Sequence, residues 1–190
     1  NVNFTRVQRR DATDAFALTE AEIEGRAQVL EAIDFLRKYV VGMEDISLCA
    51  IAPQIGVRES RRIRGEYTLS GGDVQGARRF DDRIARGSYT LDIHNGREAG
   101  APSVLEVLER PYDIPYRCLV PLAVDGLLVA GRCISGDPVA LSSYRIMSHC
   151  MATGEAAGTA AALAIQAGRT PRALDPQALR KALAARGANI

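Results

Sequence analysis

Residues 127–167 read LLVAGRCISGDPVALSSYRIMSHCMATGEAAGTAAALAIQA. An apolar run, Gly126–Ala130, ends in Gly131-Arg132; a polar loop follows, and the chain then enters a long Ala/Gly-rich helix. A run that is apolar at every position describes a strand covered on both faces, as in a parallel sheet. In open α/β sheets, ligands bind outside the carboxyl ends of the strands. The stretch therefore predicts an α/β fold whose ligand side begins at Gly131, closed in the manner of a dinucleotide-binding fold. The glycine-rich turn GxGxxG that such folds place after a first strand occurs nowhere in the chain. A lone central strand needs neighbours, and these are expected from a missing N-terminal segment or from another chain.

Working outward, composition is that of a globular protein. The chain has 190 residues, of which 47% are apolar, enough for one domain with a core or for parts of two. Charge is balanced, 24 basic against 23 acidic, so no overall field favours nucleic acid or a membrane surface. The basic residues are nearly all Arg; Lys occurs at 38 and 181. Cys49, Cys118, Cys133 and Cys150 form no CxxC pair and no metal-site spacing, and read as buried free thiols in a reducing compartment. The opening NVNFTRVQRRD has no signal-peptide core, and the apolar part of the last long helix is short of the ~20 residues a bilayer needs. A soluble, cytoplasmic protein is expected, and the chain reads as if it begins in mid-strand.

Residues 19–41 predict an amphipathic helix, with Thr19 and Glu22 as a capping box and Ile23, Ala27, Leu30, Ile33, Phe35, Leu36 and Val40 as its apolar stripe. Short strands are expected over 46–52, 57–63 and 116–120, and a charged helix over 73–86. Prolines 102, 111, 115 and 121 punctuate a stretch of loop. The loop 135–142 matches no functional pattern. A final helix over 176–186 follows a linker at 168–175.

Several residues are candidates for chemistry. Gly131 permits close backbone approach to a ligand, or merely a tight turn. The helix start near Ser148, with Arg145 just before it, suits an anion or a polarised carbonyl. Gly154 and Gly158, among alanines, give that helix a flat face. In GVRESRRIRG (56–65), Arg58 or Arg61 can meet a carboxylate in a planar two-point contact, or the segment is a solvated edge. LDIHNG (91–96) sets His94 beside a turn as a possible proton carrier. YDIPYR (112–117) offers Tyr116 and Arg117 in a stiffened polar loop.

The order of these pieces is more specific than any one of them. NFTRV, DATDAFALTEAEIEGR, FLRKYV, APQIGVRESRRIRGEYTLS, RRFDDRIARGSYTLDIHN, YDIPYRCLVP, LLVAGRCIS and SSYRIMSHCMATGEAAGTAAALA follow one another. From Asn1 to about Ala185 the chain resembles the C-terminal part of the FAD-dependent oxidoreductase family of the glutathione-reductase-like flavoproteins.

The resemblance implies a partial Rossmann-like FAD domain plus a mixed-sheet substrate domain. Residues 1–124 would be the substrate (cap) portion, 125–168 the C-terminal return to the FAD domain, and 169–190 a linker and terminal helix. It implies FAD as cofactor, with Gly131 and Arg132 near its ribityl-pyrophosphate part. Arg145, Ile146, Met147 and Gly154 would lie near the isoalloxazine ring. Arg58, His94, Tyr116 and Arg117 would face a small-molecule substrate. The expected partner is a GxGxxG-containing segment or chain, and the expected chemistry is hydride transfer to the flavin. A non-catalytic module completing a partner's fold is the alternative.

Overall fold

The computed structural model describes residues 4–93 and 104–190. They fall into two compact units, one up to residue 60 and the other from residue 61 onwards. Among the described residues the fold is mixed α/β, with five helices and two small antiparallel sheets.

In the first unit, α1 spans Ala15–Tyr39. Asp14 caps it, accepting from the Ala17 N–H, so the helix starts a turn before the expected cap at Thr19. The Thr19 hydroxyl instead donates to the Ala15 carbonyl at 2.8 Å. The packed face also differs from the expected stripe. Ala21, Gly25 and Leu36 are buried, whereas Ile23, Leu30 and Phe35 are exposed. The chain returning after α1 approaches the small-residue side. The Ile55 N–H donates to the Glu22 carboxylate at 2.6 Å and Arg26 donates to the Pro53 carbonyl at 3.2 Å. A Cβ on Gly25 would lie 3.4 Å from Ile55. No strand forms over 46–52 or 57–63: no ladder partner lies beside either run among the described residues.

The second unit opens with α2, Gly71–Gln75, a single turn held by a capping box between Ser70 and Asp73. The charged helix expected over 73–86 does not form. Asp73 is consumed by the cap, and Ala77 turns into the left-handed region at φ 49°. The chain re-emerges as β1, Arg83–Gly87, which pairs antiparallel with β4, Tyr112–Pro115. Every residue of β4 is buried. Gly87 stands opposite Tyr112, and a Cβ there would fall 2.5 Å from the tyrosine ring. Beyond Pro115 the expected strand gives way to a 3-10 turn at Tyr116–Cys118. The Tyr116 N–H goes to the Asp82 carbonyl and the Leu119 N–H returns to Tyr116, both at 2.8 Å. β2, Leu91–Ile93, pairs with β3, Val104–Glu106, in the other sheet.

The expected loop 135–142 is largely helical. Asp137 caps α3, Pro138–Tyr144, by accepting from the Ala140 N–H at 2.7 Å, and Pro138 occupies the first turn, where its missing N–H costs nothing. α4, Met147–Gln166, lays Ala156, Ala160 and Ala164 into the core beside β1 and α5, Pro176–Ala185, which contributes Leu179 and Leu183. Leu69, Ile84, Tyr112, Ile114, Leu119, Ile134, Leu141 and Tyr144 complete that core.

Gly126 is a bend at φ 73°, and residues 127–130 join no sheet among the described residues. The Val129 N–H reaches the Leu119 carbonyl at 2.9 Å. Leu127 is exposed, and Leu128 to Ala130 are only half-buried. The expected two-sided burial fails because no strand flanks the run. Of the four thiols, none is in a disulfide and only Cys118 is fully buried; Cys49 and Cys133 are exposed.

Candidate functional site

Gly131 has φ 78°, a conformation that glycine adopts without penalty. It opens a 3-10 turn through Cys133. Its N–H donates to Thr153 Oγ1 at 3.0 Å, and that hydroxyl donates back to the His149 and Cys150 carbonyls at 3.0 Å. One hydroxyl on the second turn of α4 thus ties the Gly131 turn to the helix. A Cβ on Gly131 would lie 3.9 Å from Cys150, so there is room for it, but the backbone would be strained.

Ile146 is the N-cap of α4, and no side chain accepts from the first-turn N–H groups. Met147 and Ser148 in that turn are exposed. A 20-residue helix concentrates partial positive charge at this end, available to an anion or a carbonyl oxygen. Along the outer side, Met147, Met151, Gly154, Gly158, Ala162 and Ile165 are all exposed. The spacing is 4, 3, 4, 4 and 3 residues, one helical stripe. A Cβ built on Gly154 or Gly158 would meet nothing within 4 Å. The result is a flat apolar strip beside an uncapped helix end.

Arg145 is turned inward. Its side chain is only 10% exposed, and its Nη2 donates to the Asp92 carbonyl at 3.0 Å and meets the Asp92 carboxylate at 3.4 Å. This residue fastens β2 to the approach of α4. His149, in the first turn, is buried. Its Nδ1 lies 3.3 Å from the Ser143 carbonyl, which can only accept, so Nδ1 carries the proton. Burial holds its pKa below the usual histidine value, partly offset by that hydrogen bond. Burial likewise pushes the Cys150 thiol up, against a smaller opposing effect of Arg132.

The expected site residues therefore separate into groups. Gly131, Arg132, Ile146, Met147 and Gly154 gather around the first turns of α4. Tyr116 is buried in the core; its hydroxyl donates to the Pro171 carbonyl at 2.9 Å, and desolvation raises its pKa to about 12. Arg117 forks onto Asp82 at 2.9 and 3.2 Å and stacks 5.2 Å from the Tyr67 ring. No hydrogen bond or ion pair joins Tyr116 or Arg117 to the α4 group among the described residues. Arg58 is exposed in the first unit, and His94 lies outside the described residues. Thr153 and Asp92, which order the group, carry no motif; an i→i−4 hydroxyl in a helix was the one available signal. No cluster of metal-ligating side chains occurs among the described residues, and no helix there is long and apolar enough to cross a membrane.

Against known proteins, the model of one family, described as FAD dependent oxidoreductase, matches residues 1–183. No curated protein and no solved structure gives a match.

Proposed function

Because this chain belongs to the FAD dependent oxidoreductase family, we propose that it is the C-terminal portion or small subunit of a flavoenzyme that takes a hydride from an organic substrate, completed by a GxGxxG-containing segment or chain. FAD is the cofactor of the family. One observation carries the assignment of place: the apolar run 127–130 leads into a positive-φ glycine that Thr153 pins to the uncapped end of α4. The donor set fits a flavin. The free N–H groups of the first turn can hold a ring carbonyl, the turn at Gly131 and Arg132 lets backbone and guanidinium approach the ribityl-pyrophosphate part, and Gly154 leaves the helix face flat.

When bound, the flavin supplies a hydride acceptor at its N5 position. The chain's own groups bind and orient. The end of α4 would stabilise negative charge on a flavin ring edge held there, and Ile146 and Met147 would shield that edge from water. Arg145, through Asp92, fixes β2 relative to this end. On the substrate side, His94 would act as the proton acceptor, and Arg58 or Arg117 would hold a carboxylate or hydroxyl-rich substrate. Tyr116 serves as an anchor: it is buried and its hydroxyl is committed to the Pro171 carbonyl. Residues 1–124 would then form the substrate side, 125–168 the return to the FAD domain, and 169–190 the closing linker and helix.

The test is native mass spectrometry of the gently purified protein and of Gly131→Val. A flavin mass on the first and none on the second, with unchanged far-ultraviolet circular dichroism, is the expected result. Full flavin content in the variant would show that the cofactor lies elsewhere.

A further inference from the structure

The β1–β4 ribbon carries an unbalanced charge cluster. Asp113 is fully buried, and its carboxylate is already satisfied by Arg79 Nη1 at 2.7 Å and by the Phe80 N–H at 3.1 Å. Arg86, its cross-strand partner, stands 3.5 Å away, and Arg83 stands 4.0 Å away. Three guanidiniums around one carboxylate leave a surplus of two positive charges. Arg180 on α5 crowds Arg83 with a further like charge. The Asp82 carboxylate, at the approach to β1, is held by Arg117.

The donors are as unbalanced as the charge. The Nε atoms of Arg83, Arg86 and Arg180 are buried with no hydrogen-bond partner. Among the described residues, neither Arg83 nor Arg86 donates a side-chain hydrogen bond at all, although their side chains are only 23% and 33% exposed. The Nε atoms of Arg83 and Arg86 are the ones turned to Asp113, so what the two guanidiniums leave without acceptors is their outer nitrogens, which are open to an added anion. Burial and the surrounding arginines both press the Arg83 pKa downward, the signature of cations held together without enough counter-charge. Arg86 also lines a cavity of about 250 Å³ with Ser88, Ser148, His149 and Asn189. Glu155 shares that lining and pairs with Arg186 at 3.5 Å.

We propose that Arg86, which lines this cavity, and Arg83, held beside it at Asp113, bind a phosphate-type dianion in the field of Arg79 and Arg180. Two surplus charges select a dianion over a monocarboxylate. The outer nitrogens of two guanidiniums give the forked donor geometry that phosphate oxygens match, with the Ser88 and Ser148 hydroxyls as further donors. The source is either free phosphate or a phosphoryl group on a larger molecule.

The experiment is calorimetric titration of the purified protein with inorganic phosphate, then with a phosphate monoester, at an ionic strength held constant with chloride. Saturable binding is expected, weakened about tenfold by Arg86→Gln and less by Arg86→Lys. Tighter binding of the monoester would identify the larger source; equal binding would identify phosphate itself. Arg180→Gln, on α5, is the second variant should Arg86→Gln not fold, and it should weaken binding severalfold. No saturable heat beyond the chloride control, or unchanged affinity in the glutamine variants, would overturn the proposal. Flavin content is measured on the same samples. Flavin retained in Arg86→Gln while phosphate affinity falls separates this site from the cofactor; parallel loss of both would assign these arginines to the flavin and overturn a separate site.

Discussion

Tyr112–Val120 and Leu127–Ala130 are covered in the reverse order of what their composition suggests. The first carries Asp113 and Arg117 among its apolar residues; the second is apolar at every position. The first is buried almost throughout, paired to β1 along Tyr112–Pro115, with Tyr112, Ile114 and Leu119 showing no exposure. The second joins no sheet among the described residues, with Leu127 46% exposed. α4 repeats the contrast around its own axis. Its inner alanines are buried, while its outer strip of Met147, Met151, Gly154, Gly158, Ala162 and Ile165 faces outward. Apolar pattern records which surfaces are meant to be covered; the coordinates of one chain record which of them it covers by itself. Under the proposed function, the difference between the two marks where the FAD-binding segment docks.

The sharpest way to break this comparison is to truncate one side chain in each run. Tyr112→Ala removes a fully buried ring whose hydroxyl donates to Ser143, and should cost about 3–5 kcal/mol. Leu127→Ala should change the stability of the chain alone by less than about 0.5 kcal/mol. Urea unfolding of both variants measures the pair. A cost of several kcal/mol for Leu127→Ala would mean that the second run is covered after all.

Glycines give a finer contrast of opposite sign. A Cβ at Gly136 would sit 2.5 Å from the Tyr144 ring, inside the core, so Gly136→Ala should destabilise by about 1–3 kcal/mol. A Cβ at Gly154 meets open space in mid-helix, so Gly154→Ala should stabilise the chain by about 0.5–1 kcal/mol. The same variant should retain less flavin wherever the outer face of α4 receives its partner closely. Thermal unfolding and flavin absorbance on matched samples check both halves. Stabilisation with full flavin content would leave the flat face without its proposed role.

Most of the helical framework was legible in the sequence, because the runs of helix-forming residues that make α1, α4 and α5 are local signals. The start of α1 was misplaced because Asp14 and Thr19 are both competent caps, and the choice rests on which turn packs. The 73–86 segment misled for a tertiary reason. Its charges resemble a solvated helix, yet Arg83 and Arg86 line a strand whose register against β4 brings them to Asp113, a residue far along the chain. The gathering of Gly131 with the end of α4 was legible as a strand-to-helix pattern; the Thr153 bridge was not, since a helical threonine has many uses. Arg145 and Tyr116 were recognisable as polar groups in the right segments, but only the fold reveals that Asp92 and Pro171 already hold them.

Thiols extend the comparison to pH with the smallest effect. Cys118 belongs to the covered region and Cys133 to the turn beside the uncovered run. Burial raises the Cys118 thiol from its ordinary 9.0 to about 12. A raised acid stabilises the fold below the unfolded-state value, and that contribution is lost as pH climbs toward the folded-state value, because the unfolded chain gives up its proton first. The window therefore opens near pH 9 and extends to about 12, with Tyr67 and Tyr116 joining above pH 10. Between pH 9 and 10 the thiol alone should take about 1 kcal/mol from the unfolding free energy. Urea unfolding under reductant at pH 8, 9 and 10 reads this loss, and Cys118→Ala should flatten it, whereas Cys133→Ala should leave it in place. A slope that survives in Cys118→Ala would place the titrating group elsewhere and remove Cys118 as a marker of the covered core.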